Sequence, residues 1–588
     1  MINLSASHLQ ALNKIRRTII NYDCCCSYPP FIVDTIELDE LADYSCSILD
    51  TKDHSIDSVW WNFQDADEAP YPSKFLPPYR LKKYRKWLSE GKDIVRSYVA
   101  ATHKRGYETF ISYRVSGGLE SDYRPEAFRD MGDQIGISFE NQVIGDSFEM
   151  LAMKREHPDW TFPGPVHAEQ GETYKWNFAV SEVRKYKLNI VQELAENYEL
   201  EGIELDFCRG IPFFRIDQQW EQRECMTEWV RSVRQMTLNI EKQRGRPFLL
   251  AARVPDNVLG ARIDGLDLET WAQQNLVDIF VPGARSLDID FDGFRRITSG
   301  TPIKIYPCLD AHHSSDAYQN PTMEVLRGVI TNWWYQGADA IETFNFPNVT
   351  PEAQRNLAIK HYPAKTAQDF VADEISSEPA IPDLFGYKQK TLYSEIGNFE
   401  SRKYKDKTFV VQRRGGGLGH TNINPDPDNW YTPTWGYTCM NMFSQLPATI
   451  DNNGKVDTLL TLLVGDDVNS QLDRISQISL NVLLSDPSVE SLPTSERLEQ
   501  TLVRKSGTKL GPSSNMPPSK TIQSNTEVRL NGVLLGTCNI ENGWLVFNVS
   551  TQQVAHGDNI IGIRVKNRPS TSTANITIEK LELHVKYS

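Results

Sequence analysis

Residues 201–210 read EGIELDFCRG, and the reading of this stretch decides the fold. Ile203, Leu205 and Phe207 give it the apolar, β-branched and aromatic profile of a buried strand. Glu204 and Asp206 alternate with them, and side chains in a strand alternate between faces. One face is therefore core, and the other carries two carboxyl groups. A carboxylate turned into a packed apolar core is costly unless it is paired or hydrogen-bonded. The alternative is a strand whose second face looks into a polar, working interior, with Arg209 just past its end.

Seven other runs of strand character flank this one: TIINYD (18–23), SVWWNF (58–63), YETFISYRV (107–115), RPFLLAARV (246–254), VDIFVPG (277–283), PIKIYPCL (302–309) and ADAIETFNF (338–346). Helical patterns fall between them, at 181–198, 218–243 and 322–337. In the first of these, Val183, Leu188, Val191 and Leu194 make the apolar stripe. Eight strands with intervening helices predict an α/β fold, a (β/α)8 TIM barrel over residues 1–362. The competing doubly wound sheet lacks support, because no glycine-rich phosphate loop follows the first strand. The long stretch 116–175 is expected to form part of the rim over the site.

Beyond residue 362 the pattern changes. Residues 363–384 read as a linker, and 385–588 as a C-terminal all-β sandwich. EVRLNGVLLG (527–536), GWLVFNVS (543–550), NIIGIRVKN (559–567) and TIEKLELHVKY (577–587) alternate as antiparallel strands do, and the NG at 531–532 signals a hairpin.

The 588-residue chain is 24% charged and carries a net charge of −15, which argues against nucleic acid as the main partner. No apolar run is long enough to span a membrane. The nine cysteines include no CxxC pair, and the consecutive Cys24, Cys25 and Cys26 are poorly spaced for zinc. No metal and no cofactor is expected. The N-terminal twenty residues read as an amphipathic helix rather than a signal core, so the compartment expected at face value is the cytoplasm, or the periplasm if a leader has been removed. Homo-oligomerisation is compatible with this composition.

In a parallel barrel the working end is the C-terminal mouth of the strands. Strand parity turns Asn21, Asp23, Ser112, Arg114, Glu204, Asp206, Arg253, Lys304, Tyr306, Cys308, Asp310 and Glu342 inward. Paired carboxyls cleave acetals, one protonating the leaving oxygen while the other attacks or activates water. Asp206 is the expected general acid, with Glu342 or Asp310 as nucleophile or base, and Glu204 with Arg253 as the layer that tunes the acid. Arg114, Arg209, Arg253, Lys304, Tyr306 and His312 are the expected polar contacts to substrate, and Trp60, Trp61 and Trp160 the aromatic platforms. The expected substrate is a carbohydrate, with an anionic polysaccharide such as a sulfated algal galactan or a uronic-acid glycan suited to the arginines. A non-catalytic carbohydrate-binding barrel and a carbohydrate lyase with a Tyr or His base, for which Tyr306 with Arg253 could serve, are the alternatives.

HPDW (157–160), KWNFAVSEVRKYKLNIVQEL (175–194) and EGIELDFCR (201–209) together resemble the bacterial family-ten-like glycosyl-hydrolase proteins. LLAARVPD (249–256) and GADAIETFNFP (337–347) are similar to later strands of that family, and residues 528–565 to its appended β-sandwich. The resemblance implies polysaccharide hydrolysis on a TIM barrel, with the fourth-strand aspartate at Asp206. It leaves the nucleophile open between Glu342 and Asp310. The block EGIELDFC also echoes a chitinase-like D-G-x-D-x-D-x-E pattern, but Cys208 stands where that pattern has its acid, so that mechanism does not transfer.

Overall fold

The computed structural model describes residues 2–23, 35–63, 67–79, 82–116, 152–163, 174–283, 286–310, 318, 321–344, 346, 349–361, 388–412, 444–485, 524–541, 543–567 and 575–588. The first half is built on nine parallel strand segments: β1 Thr18–Asp23, β2 Ile56–Asn62, β3 Glu108–Arg114, β4 Gly202–Asp206, β5 Leu249–Val254, β6 Ile279–Pro282, β7 Lys304–Ile305, β8 Cys308–Asp310 and β9 Ile341–Phe344. They coincide with the eight sequence runs, because the seventh supplies both β7 and β8.

The sheet order is β8-β9-β1-β2-β3-β4-β5-β6-β7. Its two edges are thus consecutive pieces of one run. The ladder is not an unbroken ring, as the expected closed barrel would have it. It parts at Tyr306 and Pro307, where proline has no N–H to donate. Tyr306 N still donates to Phe280 O at 2.9 Å on one side, and Glu342 N to Pro307 O at 3.0 Å on the other.

The helices follow the apolar periodicity. Helix α1 is Ala6–Leu12, shorter than the N-terminal pattern suggests, because the IRRTII that follows turns into β1. Helix α2, Ser181–Asn197, buries Val183, Ile190, Val191 and Leu194, while Leu188 is only half-buried. Lys187 is inside instead, with its ammonium 2.6 Å from buried Asp67. Helix α3, Arg223–Arg244, ends on Gly245 in the left-handed region that glycine adopts freely. Helix α4, Met323–Tyr335, is capped by Thr322, whose side chain accepts from Val325 N.

The second half has β10 Lys407–Val410, β11 Ala448–Thr449, β12 Thr458–Val464, β13 Ile475–Ser485, β14 Thr526–Leu530, β15 Val533–Leu534, β16 Asn539–Glu541, β17 Trp544–Asn548, β18 Gly557–Val565 and β19 Thr577–Tyr587. They form two antiparallel sheets, β10-β19-β13-β17-β16 with β11 on β19, and β12-β18-β14-β15. The expected NG turn joins β14 to β15, with both Asn531 and Gly532 at positive φ. One apolar cluster, including Leu460, Leu480, Ile561 and Leu583, is shared by the two sheets. Leu392, Tyr393 and Ile396 precede β10 in the chain and pack into the core cluster of the first half. The expected linker, 363–384, lies outside the described residues.

Helix α4 joins the halves. Asn332 Nδ2 donates to Leu463 O at 3.0 Å, and Gly465 N donates to Asn332 Oδ1 at 2.7 Å. Gly328 allows the helix to rest directly on β10, since a Cβ there would meet Thr408 O at 2.1 Å. Gly328→Ala is therefore expected to destabilise the protein by about 1–3 kcal/mol, the usual cost of overpacking. Calorimetric unfolding of the full chain checks this, and an unchanged melting temperature would mean that the helix can shift off β10 freely.

Candidate active site

The interior of the parallel sheet is layered. At its floor Trp60 stacks on Phe110, with ring centroids 4.6 Å apart and planes 9° apart, and the indole N–H donates to Ser58 Oγ at 2.8 Å. Gly202 makes room for this stack, because a Cβ would meet the Phe110 ring at 2.4 Å and Leu249 O at 2.5 Å. Leu12 of α1, Ile19, Leu249 and Ile279 belong to the same cluster.

Above the stack lies a layer of carboxyl groups. Glu204 on β4 and Glu342 on β9 come from separate parts of the sheet and interact directly. Asn21 on β1 joins them, its amide N–H donating to Glu204 Oε1 at 2.8 Å and to Glu342 Oε1 at 3.3 Å. Ser112 Oγ–H donates to Glu204 Oε1 at 2.5 Å. Both glutamates are fully buried. Burial and the neighbouring Asp206 raise Glu204, with Arg253 opposing, to about 7. Burial and then Glu204 itself hold Glu342 well above the usual carboxylate range. The second oxygens, Glu204 Oε2 and Glu342 Oε2, have no other donor among the described residues. Two acceptor-only groups in contact are satisfied when they share a proton, so the pair carries one near neutral pH.

Asp206 stands one inward position nearer the mouth, in register with Arg114 of β3 and Arg253 of β5. Arg253 holds it with two N–H donations of 3.1 Å, one to each oxygen. Cys208 N donates to Asp206 Oδ1 at 2.8 Å. The Arg253 guanidinium lies 3.7 Å from the centroid of the Phe344 ring, and its Nη1 is 3.9 Å from Cys308 Sγ. Asp206 and Arg253 form a buried bidentate pair, with no more than 1% of either side chain exposed.

The structure brings Glu204, Glu342, Asp206 and Arg253 together, but not in the expected pairing. The carboxyl that Glu342 meets is Glu204, and both oxygens of Asp206 are engaged by Arg253. Arg114 is buried at the end of β3, and Arg209 is half-buried just past β4. The side chain of Asp310, and His312, lie outside the described residues.

Four expected substrate contacts are corrected. Trp60 is floor packing. Trp61 points to the outer face, where its N–H donates to Thr102 Oγ1 at 3.0 Å and its ring meets Tyr98 edge-on. Tyr306 and Lys304 point inward but lie at the N-terminal end. Tyr306 is buried beside Arg16, which also binds Glu108, and burial pushes its hydroxyl up to about 12. Lys304 pairs with Asp339 at 3.4 Å. Trp160, half-buried, stacks on His157 at 4.1 Å and packs against the core cluster. Asn21, Ser112 and Cys308 were legible only as inward-facing positions, and Phe344 was not singled out by the sequence. Among the described residues, no group of three or more His, Cys, Asp or Glu side chains is arranged to hold a metal, and no helix is long and apolar enough to cross a membrane.

No family model matches the sequence, and neither does any curated protein, so the family-ten-like resemblance rests on its motifs alone. Among solved structures, the glycoside hydrolase domain of PgaB (BpsB) from Bordetella bronchiseptica is 12% identical, covering 59% of this chain and 98% of that one, at a TM-score of 0.34. An alpha-amylase from Geobacillus thermoleovorans is 10% identical over 93% of this chain and 98% of that one, at 0.35. A GH36 alpha-galactosidase from Geobacillus stearothermophilus is 9% identical over 99% of this chain and 58% of that one, also at 0.35. These neighbours are glycoside hydrolases, but at such scores the likeness transfers no activity.

Proposed function

We propose that this chain hydrolyses glycosidic bonds at the C-terminal end of its parallel strands. The observation that carries the reading is a pair of fully buried, interacting carboxyl groups, Glu204–Glu342, both held above the usual carboxylate range, in the same interior as a carboxylate, Asp206, bound by Arg253. Acetal cleavage needs these two states together, an acid to protonate the leaving oxygen and an ionised carboxylate to stabilise or capture the cationic sugar. The geometry shifts the roles. Asp206, with both oxygens on Arg253, has none turned to a leaving group and suits the ionised role, while Glu204 and Glu342 hold the proton. Arg114 and Arg209 near the rim suit an anionic glycan, as in the sulfated-galactan or uronic-acid substrates expected from the sequence.

The second reading is a carbohydrate-binding barrel without turnover. The complete burial of Asp206, Glu204 and Glu342 favours it, since a polar interior whose groups satisfy one another needs no substrate. The lyase alternative loses Tyr306 as its base, because that residue lies with Arg16 at the opposite end. Digestion of a polysaccharide panel by wild-type protein and by Glu204→Gln separates the first two. Products from the wild type but not from the variant support hydrolysis. Binding without products supports the receptor, and equal digestion by both removes Glu204 from the chemistry.

A further inference from the structure

At the far end of the barrel, α1 covers the floor, with Leu12 fully buried in the interior cluster. Ser5 caps the helix and accepts from His8 N at 3.0 Å. The His8 ring is completely buried between two carboxylates, with Nδ1 2.5 Å from Glu241 Oε2 on α3 and Nε2 2.9 Å from Asp278 Oδ1 just before β6. A neutral imidazole has one N–H, so both contacts are hydrogen bonds only when both ring nitrogens carry protons. Asp278 also receives Arg234 Nη1 and Nη2 at 2.7 and 2.6 Å, and Leu250 N at 2.8 Å. Glu241 also accepts from Ser5 Oγ at 3.0 Å.

The charged groups facing the ring are thus Glu241 and Arg234 from α3 and Asp278 from the entry to β6. The strand β5, on which α1 also packs, carries its one charge, Arg253, toward its opposite end, in the carboxyl layer. With His8 protonated, two cations meet two carboxylates. Without that proton, Asp278 keeps Arg234, half-buried Glu241 loses the cation it faces, and a ring lone pair faces a carboxylate oxygen. Removing one member of an ion pair that lies largely out of water is destabilising.

We infer that α1 is a pH-released latch: protonated His8 clamps it between Glu241 and Asp278, and loss of that proton frees it from the barrel floor. Burial pulls His8 down, but the hydrogen bonds and charges of Asp278 and Glu241 outweigh burial and Arg234, and the net shift is upward from 6.5. The contribution is therefore full below about 6.5, the unfolded value, and is lost as pH rises through the higher folded value.

Hydrogen exchange of the full chain from about pH 6 to about pH 9, normalised to the unfolded-chain rate, tests the latch. Protection of residues 6–12 is expected to fall by up to about tenfold per pH unit from about 6.5 to the raised folded value of His8 and to level off above it, while that of α2 stays level. Glu241→Gln should lower the pH at which the fall levels off and so shrink its size, and His8→Gln should abolish the dependence. Flat protection in the wild type, or an unchanged profile in His8→Gln, overturns the latch. If His8→Gln does not fold, a fall of unchanged size in Glu241→Gln overturns it just as well.

Discussion

Arg253→Met is expected to lower the unfolding free energy by about 3–5 kcal/mol, the cost of stranding a buried charge whose partner has been removed. Methionine keeps much of the arginine's volume and can still pack on Phe344, so the loss falls on Asp206. Among the described residues, that carboxylate then retains the Cys208 N–H as its donor, at 2.8 Å. Adding Asp206→Asn removes the stranded charge as well, and the double variant is expected to recover most of the deficit. Denaturant unfolding of the two single variants and the double variant measures the coupling directly. An Arg253→Met protein as stable as the wild type would mean that water reaches Asp206 from the rim. The same pair governs how Asp206 can be tested. Asp206→Asn strands Arg253, so loss of turnover in that variant alone confounds chemistry with stability.

Glu204→Gln avoids this confusion, and its expected effect on turnover is the larger: a fall of about 10²–10⁴, the usual contribution of a positioned acid or base. Stability near pH 7 should change little. The amide oxygen can accept from Asn21 and Ser112, and the amide N–H can supply to Glu342 the donor that the shared proton supplied. The pH dependence gives a second readout. Glu204 is raised from its ordinary 4.5 to about 7. Its contribution to stability is therefore full below about 4.5 and lost as pH rises through about 7. The wild type should lose stability across that interval relative to Glu204→Gln. Parallel stability curves for the two proteins would show that the pair holds no proton.

The strand–helix order was legible in the sequence because it depends on short-range pattern. All eight apolar runs became parallel strand segments, and three helical stripes became α2, α3 and α4, since periodicity reports which faces must leave water. Parity also turned Glu204, Asp206, Arg253 and Glu342 inward. What parity lacks is height and partner. It could not place Tyr306 and Lys304 at the wrong end, because inward-facing residues at both ends of a strand look alike in sequence. It left the face of Trp60 and Trp61 open, and neither proved to be a platform.

The sequence by itself thus determined that carboxyl groups line a parallel-stranded interior, because alternation along a strand is a local property. Only the tertiary structure decided which carboxyl meets which cation. Asn21, Glu204 and Glu342 are each separated by more than a hundred residues along the chain, and the energy of a buried charge depends on what stands within a few ångströms of it. That spacing made Asp206 the partner of Arg253 and left Glu204 and Glu342 to share a proton.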